Sequence, residues 1–348
     1  MSKKSIAVLF GGHSSEYDVS LKSAYTVISE INDDLYTIIP IGITKDGRWF
    51  YYTGDYKNIE DDTWHCSQKD LCTVVISPDR EKRGAYLLKE DGISFLSIDL
   101  AFPVLHGKNG EDGTVQGVIE LAGIPVAGCD VLSSAICMDK ARAHRLAQTE
   151  GISCAKSITF SLFTKNEAIK EINEKLKYPI YVKPVRAGSS VGITKVYTPD
   201  KLENAVNLAF CHDREVIAEE NVDGCEVGCA VIGNENLILG CVDKLEVNVD
   251  FLDYNEKYTQ NFTKVHVPAQ IDKQTEERIK QAAVKIYRAL GCCGFARIDM
   301  FLTDDNEIYF NEVNTIPGFT HHSRFPKMMN AAGYSIKQTI QMIIDLYI

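Results

Sequence analysis

Apolar and polar positions along the chain switch between a strand period and a helix period. The unbroken apolar run Ile6 to Phe10 in KKSIAVLFGG, closed by glycines, predicts a buried strand. SSEYDVSLKSAYTVISEI follows with Val19, Val27, Ile28 and Ile31 at helical spacing, which predicts a helix packed on that strand. The alternation continues with YTIIPIGIT and IDLAFPVLHG as strands, GTVQGVIELAG as a helix and IPVAGC as a strand, the order of a doubly wound parallel sheet. This first α/β domain is expected to span residues 1–137, ending near Cys137. A smaller block, 138–219, reads as helix MDKARAHRLAQTEG, strand SCAKSITF, helix KNEAIKEINEKLK, and strand YPIYVKPV running into RAGSSVG. The last block, 220–348, holds further strands, the polar aromatic stretch DFLDYNEKYTQNFTK, helix KQTEERIKQAAVKIYRALG, a hairpin and the C-terminal helix IKQTIQMIIDLYI. No internal repeat or low-complexity linker interrupts the pattern.

The hairpin carries the first chemistry. RIDMFLT and IYFNEVN flank the polar turn Asp304, Asp305, Asn306, Glu307. A four-residue loop pairs Thr303 with Ile308, which sets Asp299 opposite Glu312 and Arg297 opposite Asn314 on one face, with Ile298, Met300, Tyr309 and Val313 on the buried face. Two opposed carboxylates repel unless something neutralises them. Asp, Glu and an Asn carbonyl suit Mg²⁺, which typically takes one or two carboxylates and completes its shell with phosphates and water, so nucleotide is the expected partner. The alternative is a solvated sheet face with a salt bridge from Arg297.

Other candidates are weaker one by one. KPVRAGSSVG has the composition of a loop whose N–H groups can close over phosphates, and Lys183, on the last strand residues before it, would face an interior where it needs an anion. Lys140 is a second phosphate candidate or a solvated helix-end charge. Ser14, Ser15 and Glu16 read as a helix start, with Ser15 well explained as a cap, while Glu16 could instead point a carboxylate at a ligand ammonium. His106 in the tight loop HGKNGEDG reads as structural, and the adjacent His321 and His322 point to opposite sides, a poor metal pair.

Composition narrows the partners. The chain has 348 residues, 45% hydrophobic and 24% charged, and a formal net charge of −11 with no basic run, which argues against nucleic acid. The apolar run near the start is too short for a signal-peptide core and no stretch reaches membrane-span length, so no membrane partner is expected. The 11 scattered cysteines lack a zinc spacing and read as reduced, mostly buried thiols of a cytoplasmic protein.

GGHSSEYDVSL, HGKNGEDG, MDKARAH, KPVRAGSSVG, DYNEKY, RIDMF, NEVNTIPGFT and HSRFP stand in the order seen in the D-alanine:D-alanine ligase family, and the resemblance covers nearly the whole chain. It implies an ATP-grasp fold of three α/β domains, with ATP between the central and C-terminal domains. By resemblance, Asp299 and Glu312 are ligands of one Mg²⁺, and Glu312 with Asn314 holds a second, with Mn²⁺ as a possible substitute. Lys140 and Lys183 match phosphate contacts, and Glu219 and Glu226 match contacts to adenine and ribose. Glu16 matches the residue receiving the first D-alanine's ammonium, and it joins Ser189 and Tyr258 in a set that holds the mobile ω-loop, to which Lys257 belongs. Arg297 matches the arginine that stabilises the acyl phosphate and tetrahedral intermediate, with a backbone N–H from Gly318 beside it. Ser323 matches a contact to the second substrate's carboxylate and His106 a contact near the first substrate. The resemblance also implies a homodimer formed through the N-terminal domain.

HSRFP departs from the housekeeping pattern, which usually has an aliphatic residue after HS. Arg324 resembles the residue of resistance-type relatives, and an intact DYNEKY separates the chain from the D-lactate-specific ones. The combination resembles the VanG-type D-alanine:D-serine ligases of vancomycin resistance. A guanidinium at the second subsite offers donors to an acceptor hydroxyl. The alternatives are that Arg324 only salt-bridges a nearby acid in a D-alanine:D-alanine ligase, or that the chain is a non-catalytic ATP-grasp nucleotide binder.

Overall fold

The computed structural model describes residues 3–188, 191–247 and 263–348. Three sheets organise it. The first runs β6-β5-β4-β3-β2-β1-β7, from strands β1 (Lys4–Gly11), β2 (Tyr36–Ile43), β3 (Trp49–Tyr52), β4 (Leu71–Ile76), β5 (Gly84–Lys89), β6 (Gly92–Ser97) and β7 (Leu100–Val104). Its centre matches the expected pattern, because β1 pairs in parallel with both β2 and β7. The expected wholly parallel sheet is corrected by β3 to β6, an antiparallel meander on the far edge. Those strands are short and mostly half exposed, with apolar runs no longer than four residues. IPVAGC, expected as a strand, contributes only an isolated bridge between Ala101 and Val126.

The unbroken hydrophobicity of β1 has a simple cause: its two faces enter two cores. Ile6, Val8 and Phe10 pack with the helix Tyr17–Glu30 on one side, and Ala7 and Leu9 pack with Ile119 and Val115 on the other.

The second sheet is antiparallel, ordered β11-β10-β12-β9, from β9 (Ser157–Ser161), β10 (Ile180–Pro184), β11 (Thr194–Val196) and β12 (Glu215–Glu220). The third is ordered β16-β15-β13-β17-β18-β8, with β14 (Ile238–Leu239) pairing on β13. It comprises β8 (Ser153–Cys154), β13 (Cys225–Ile232), β15 (Asp243–Val247), β16 (Thr263–His266), β17 (Phe295–Leu302) and β18 (Ile308–Asn314). SCAKSITF, expected as one strand, is therefore two: β8 joins the third sheet beside β18 and β9 joins the second. The helix Lys273–Ala289 covers the third sheet, burying Ile279, Ala283, Ile286 and Tyr287 against Ile298, Met300 and Phe310.

All 11 cysteines are free thiols, but only Cys129, Cys137, Cys229 and Cys292 are buried and Cys66 and Cys211 are exposed, which corrects the expectation of mostly buried thiols. Among the described residues no helix is long and apolar enough to cross a membrane.

Candidate active site

The hairpin of β17 and β18 sets the site's centre. Arg297 pairs with Asn314 and Asp299 with Glu312, as the spacing predicts, but the turn end differs: Leu302, not Thr303, lies opposite Ile308. A β-bulge reconciles the two ends, with Asn311 as the extra residue between Phe310 and Glu312. In a regular strand Phe310 and Glu312 would share a face. The bulge sends Phe310 and Val313 into the core and Glu312 and Asn314 to the site. The buried partner of Met300 is consequently Phe310 and not Tyr309, which is only half buried. The freed Asn311 carbonyl accepts a hydrogen bond from His144 Nε2 at 2.7 Å.

Asp299 is 1% exposed. It receives Arg297 Nε and Nη2 at 2.8 and 2.7 Å and Asn314 Nδ2 at 2.8 Å. Glu312 Oε2 lies 3.4 Å from Lys140 Nζ. The two facing carboxylates are thus each offset by a cation of the protein itself, and the Arg297 salt bridge weighed from sequence is present. The donor set of two carboxylates and one amide still fits Mg²⁺, which completes its shell from nucleotide phosphates. Among the described residues no group of three or more His, Cys, Asp or Glu side chains gathers into a metal cage.

Two lysines converge on this strand pair, Lys140 from a helix and Lys183 from the second sheet. Asp139 caps the helix Lys140–Thr149 by accepting from Arg142 N at 3.0 Å, and the cap turns Lys140 inward. Lys140 is 7% exposed and donates to the Ala187 carbonyl at 2.9 Å, so it is no solvated helix-end charge. Lys183, next to last in β10, meets Glu219 of the neighbouring β12 at 2.6 Å. Burial acts to lower the lysine's pKa, but the adjacent Glu219 carboxylate outweighs it and holds the ammonium above its usual range. Glu219 is held down in turn, because Lys183 outweighs the desolvation that would raise it. Glu219 Oε1 and His144 Nδ1 make no hydrogen bond among the described residues but lie 3.5 Å from each other beside the expected adenine contact.

The first sheet supplies the third wall. Glu16 occupies the N-cap position of the helix Tyr17–Glu30 but makes no side-chain cap bond, and Ser15 does not stand at that position, contrary to its expected role. Ser14 Oγ instead accepts from Glu16 N at 3.0 Å and donates to the His106 carbonyl at 2.7 Å. The Glu16 carboxylate is directed to the loop after β7: a Cβ on Gly107, whose φ is +68°, would lie 2.5 Å from Glu16 Oε2. Gly188, next to the expected Ser189, approaches the same oxygen, its notional Cβ lying 3.2 Å away. His106 donates from Nδ1 to the Ile316 carbonyl at 2.9 Å, leaving Nε2 buried without a partner among the described residues. Burial holds this imidazole's pKa below the ordinary range, so Nε2 is an acceptor aimed at the site.

Arg324 opens the helix Arg324–Ala331 and meets three acids. Its Nε and Nη2 bond both oxygens of Asp243 at 2.7 and 2.8 Å, Nη1 reaches Glu226, and Nη2 lies 3.4 Å from Asp299. These three acids outweigh burial and hold the guanidinium pKa well above its usual value. Gly228 makes the room, since a Cβ there would lie 2.6 Å from Arg324 Nη2 and 2.8 Å from Asp243 Oδ1. Ser323 and Gly318 lie together beside it: a Cβ on Gly318 would stand 2.8 Å from Ser323 Oγ, which bonds Thr320 Oγ1 at 2.8 Å.

The structure therefore gathers Glu16, His106, Lys140, Lys183, Glu219, Glu226, Arg297, Asp299, Glu312, Asn314, Gly318, Ser323 and Arg324 around one centre where the three sheets meet. Ser189, Lys257 and Tyr258, with the whole DYNEKY stretch, lie outside the described residues. Two residues not singled out from sequence belong to the set. Asp243, fully buried, fixes Arg324. Glu111, inside the quoted HGKNGEDG, bonds Gly107 N at 2.8 Å and Ile316 N at 3.2 Å. An acid beside strand-forming residues was the available signal for Asp243, but its partner lies 81 positions away.

Comparison with known proteins identifies the family. Residues 5–129 match the family described as D-ala D-ala ligase N-terminus and residues 146–345 the one described as D-ala D-ala ligase C-terminus. The solved VanG D-Ala:D-Ser ligase from Enterococcus faecalis is 55% identical with a TM-score of 0.95, each chain covered in full. A D-alanine–D-alanine ligase of Caldicellulosiruptor bescii is 43% identical over 100% of this chain and 96% of its own, and the vancomycin/teicoplanin A-type resistance protein VanA of Enterococcus faecium 41% over 99% of each. With both halves matched and the three-sheet architecture shared, the chain belongs to the D-alanine–D-alanine ligase family of ATP-dependent ligases with the ATP-grasp fold.

Proposed function

We propose that this chain joins D-alanine to D-serine through an acyl phosphate, making a dipeptide for the modified cell-wall precursors of vancomycin resistance. The observation that carries the choice of acceptor is Arg324, a buried guanidinium locked by Asp243 on the Gly228 cradle and set beside Asp299 and Ser323. Three of its five N–H groups are taken by Asp243 and Glu226, and Nη2 also lies 3.4 Å from Asp299 on the hairpin face, beside which an acceptor hydroxyl would be read. The salt bridge and the recognition role are compatible, because the acids orient the guanidinium. The similarity to a D-Ala:D-Ser ligase at 55% identity supports the same reading.

In this reading Glu16 receives the first D-alanine's ammonium, and the carboxylate oxygen of that D-alanine attacks the γ-phosphorus, expelling ADP. Lys140, Lys183 and Arg297 offset the charge of the transferring group, and Glu219 and Glu226 hold adenine and ribose. Asp299, Glu312 and Asn314 would hold Mg²⁺, which supplies charge neutralisation on the phosphates. The acceptor's amine, having lost a proton, attacks the acyl carbon while Arg297 and the Gly318 N–H stabilise the developing oxyanion, and phosphate leaves. Ser189, Lys257 and Tyr258 would close the site against water. The enzyme would work in the cytoplasm as a homodimer.

The test is phosphate release with Mg²⁺-ATP and limiting D-alanine, with D-serine, D-lactate or excess D-alanine added in parallel and products identified by mass. D-alanyl-D-serine should dominate at matched acceptor concentrations. Dominant D-alanyl-D-alanine would make this a housekeeping ligase, the activity named for the Caldicellulosiruptor relative.

A further inference from the structure

The loop after β7 and the loop after β18 come from opposite ends of the chain, yet they share one peptide. Ile316 donates its N–H to Glu111 Oε1 at 3.2 Å, and its carbonyl accepts from His106 Nδ1 at 2.9 Å. Both backbone polar groups of Ile316 are thus tied to the HGKNGEDG loop. Ile316 stands two residues after Asn314 and two before Gly318. The second oxygen of Glu111 accepts from Gly107 N at 2.8 Å, and Gly107 is the residue packed on the Glu16 carboxylate. A continuous path therefore runs from Glu16 through Gly107, Glu111 and Ile316 to the strand end bearing Glu312 and Asn314.

The chemistry at position 111 is demanding. Two N–H donors converge on it, so each must find an acceptor. A carboxyl group offers two oxygens, whereas a glutamine must turn its NH₂ toward one of the donors. A carboxyl there carries a cost, since Glu111 is half-buried and the neighbouring Glu16 and Glu312 charges disfavour its ionised form. A residue kept only for packing would avoid that repulsion.

We infer that Glu111 is a positioning residue for phosphoryl transfer: its carboxyl clasps the Gly107 and Ile316 N–H groups and so sets the spacing between the first-substrate loop and the strand end carrying Glu312, Asn314 and Gly318. This rests on the ligase reading above. Glu111 acts through the two loops it holds together.

The experiment uses the full chain with Glu111→Gln, near-isosteric and keeping one acceptor, and Glu111→Ala, which removes both. Binding of a non-hydrolysable ATP analogue with Mg²⁺ is measured by calorimetry, and kcat and the first D-alanine's KM are measured with the acceptor saturating. The expected result is an analogue Kd within about threefold of wild type and a kcat lowered about 100-fold, the scale of a roughly 1 Å misplacement of reacting groups. A double-mutant cycle with His106→Asn supplies the second arm: two groups holding one peptide should give losses that combine to less than their product. Wild-type kcat in Glu111→Gln, multiplicative losses in the cycle, or kcat and analogue binding falling together with Tm would each overturn the clasp. Absence of D-alanine-dependent phosphate release from the wild-type chain would instead overturn the ligase reading.

Discussion

At the scale of single residues, the site sets Arg297, Lys140, Lys183 and Arg324 against Asp299, Glu312, Glu219 and Asp243 before any ligand arrives. Arg324→Leu removes a guanidinium that three acids share, leaving Asp243 buried and unpaired. That should cost about 3–5 kcal/mol of stability, the usual penalty for breaking a buried pair, and should lower kcat/KM for D-serine more than for D-alanine in a competition assay. Asp243→Asn should move acceptor preference in the same direction, because it unlocks the same guanidinium. Glu111 gives a pH signature. Burial, with the neighbouring Glu16 charge adding to it, pushes this carboxyl up to about 8, well above its ordinary range. The folded chain then holds a proton that the unfolded chain has released, so the stability contributed by this group is full below the ordinary carboxyl range and is lost as pH rises through about 8. Thermal unfolding of Glu111→Gln against wild type over that window should show the slope flattened, and identical slopes would refute the assignment.

Elements add constraints no residue carries alone. The bulge in β18 lets one strand serve a core and a site at once, turning Phe310 inward and Glu312 outward although they are two apart. Counting back from the turn made the Asp299 and Glu312 pairing legible, because the one-residue difference at the turn end is offset by the bulge. The bulge itself was not, because an extra residue leaves no mark on composition when its side chain is polar and half exposed. β13 carries the other constraint. Gly228 lies in the middle of a strand where glycine is intrinsically unfavourable, and the close approach of Arg324 and Asp243 accounts for it. Gly228→Ala should cost about 1–3 kcal/mol from overpacking and should displace the guanidinium. Denaturation midpoints check the first effect and the ratio of D-alanyl-D-serine to D-alanyl-D-alanine product checks the second.

The whole molecule decides whether the three walls meet. Phe102 of β7, Phe295 of β17, Phe319 and Phe325 form a buried aromatic cluster with centroids 5.5 to 6.1 Å apart, joining the first sheet to the third. These contacts belong to one continuous core that also takes in Ile6, Val8 and Ile340. Phe319→Ala should therefore cost about 3–5 kcal/mol. Because Phe319 also follows Gly318 and bonds Ser23 Oγ through its N–H at 3.1 Å, kcat should fall even where the protein remains folded. Calorimetric unfolding with a turnover assay at a temperature well below Tm separates the two effects.

What the sequence determined by itself is local or motif-borne: the parallel centre of the first sheet, the helices read from their spacing, the polar face of the hairpin and, through eight ordered motifs, the family. These are readable because side-chain period and turn chemistry act over a few residues, and because the long motifs are specific. The tertiary structure alone decided the antiparallel meander, the split of SCAKSITF between two sheets, the bulge, and the partnerships of Glu111 with Ile316 and Arg324 with Asp243, 205 and 81 positions apart. Such pairings depend on how separate elements pack, and a buried charge chooses its partner by where the fold brings an opposite group within hydrogen-bond reach, which no local pattern encodes.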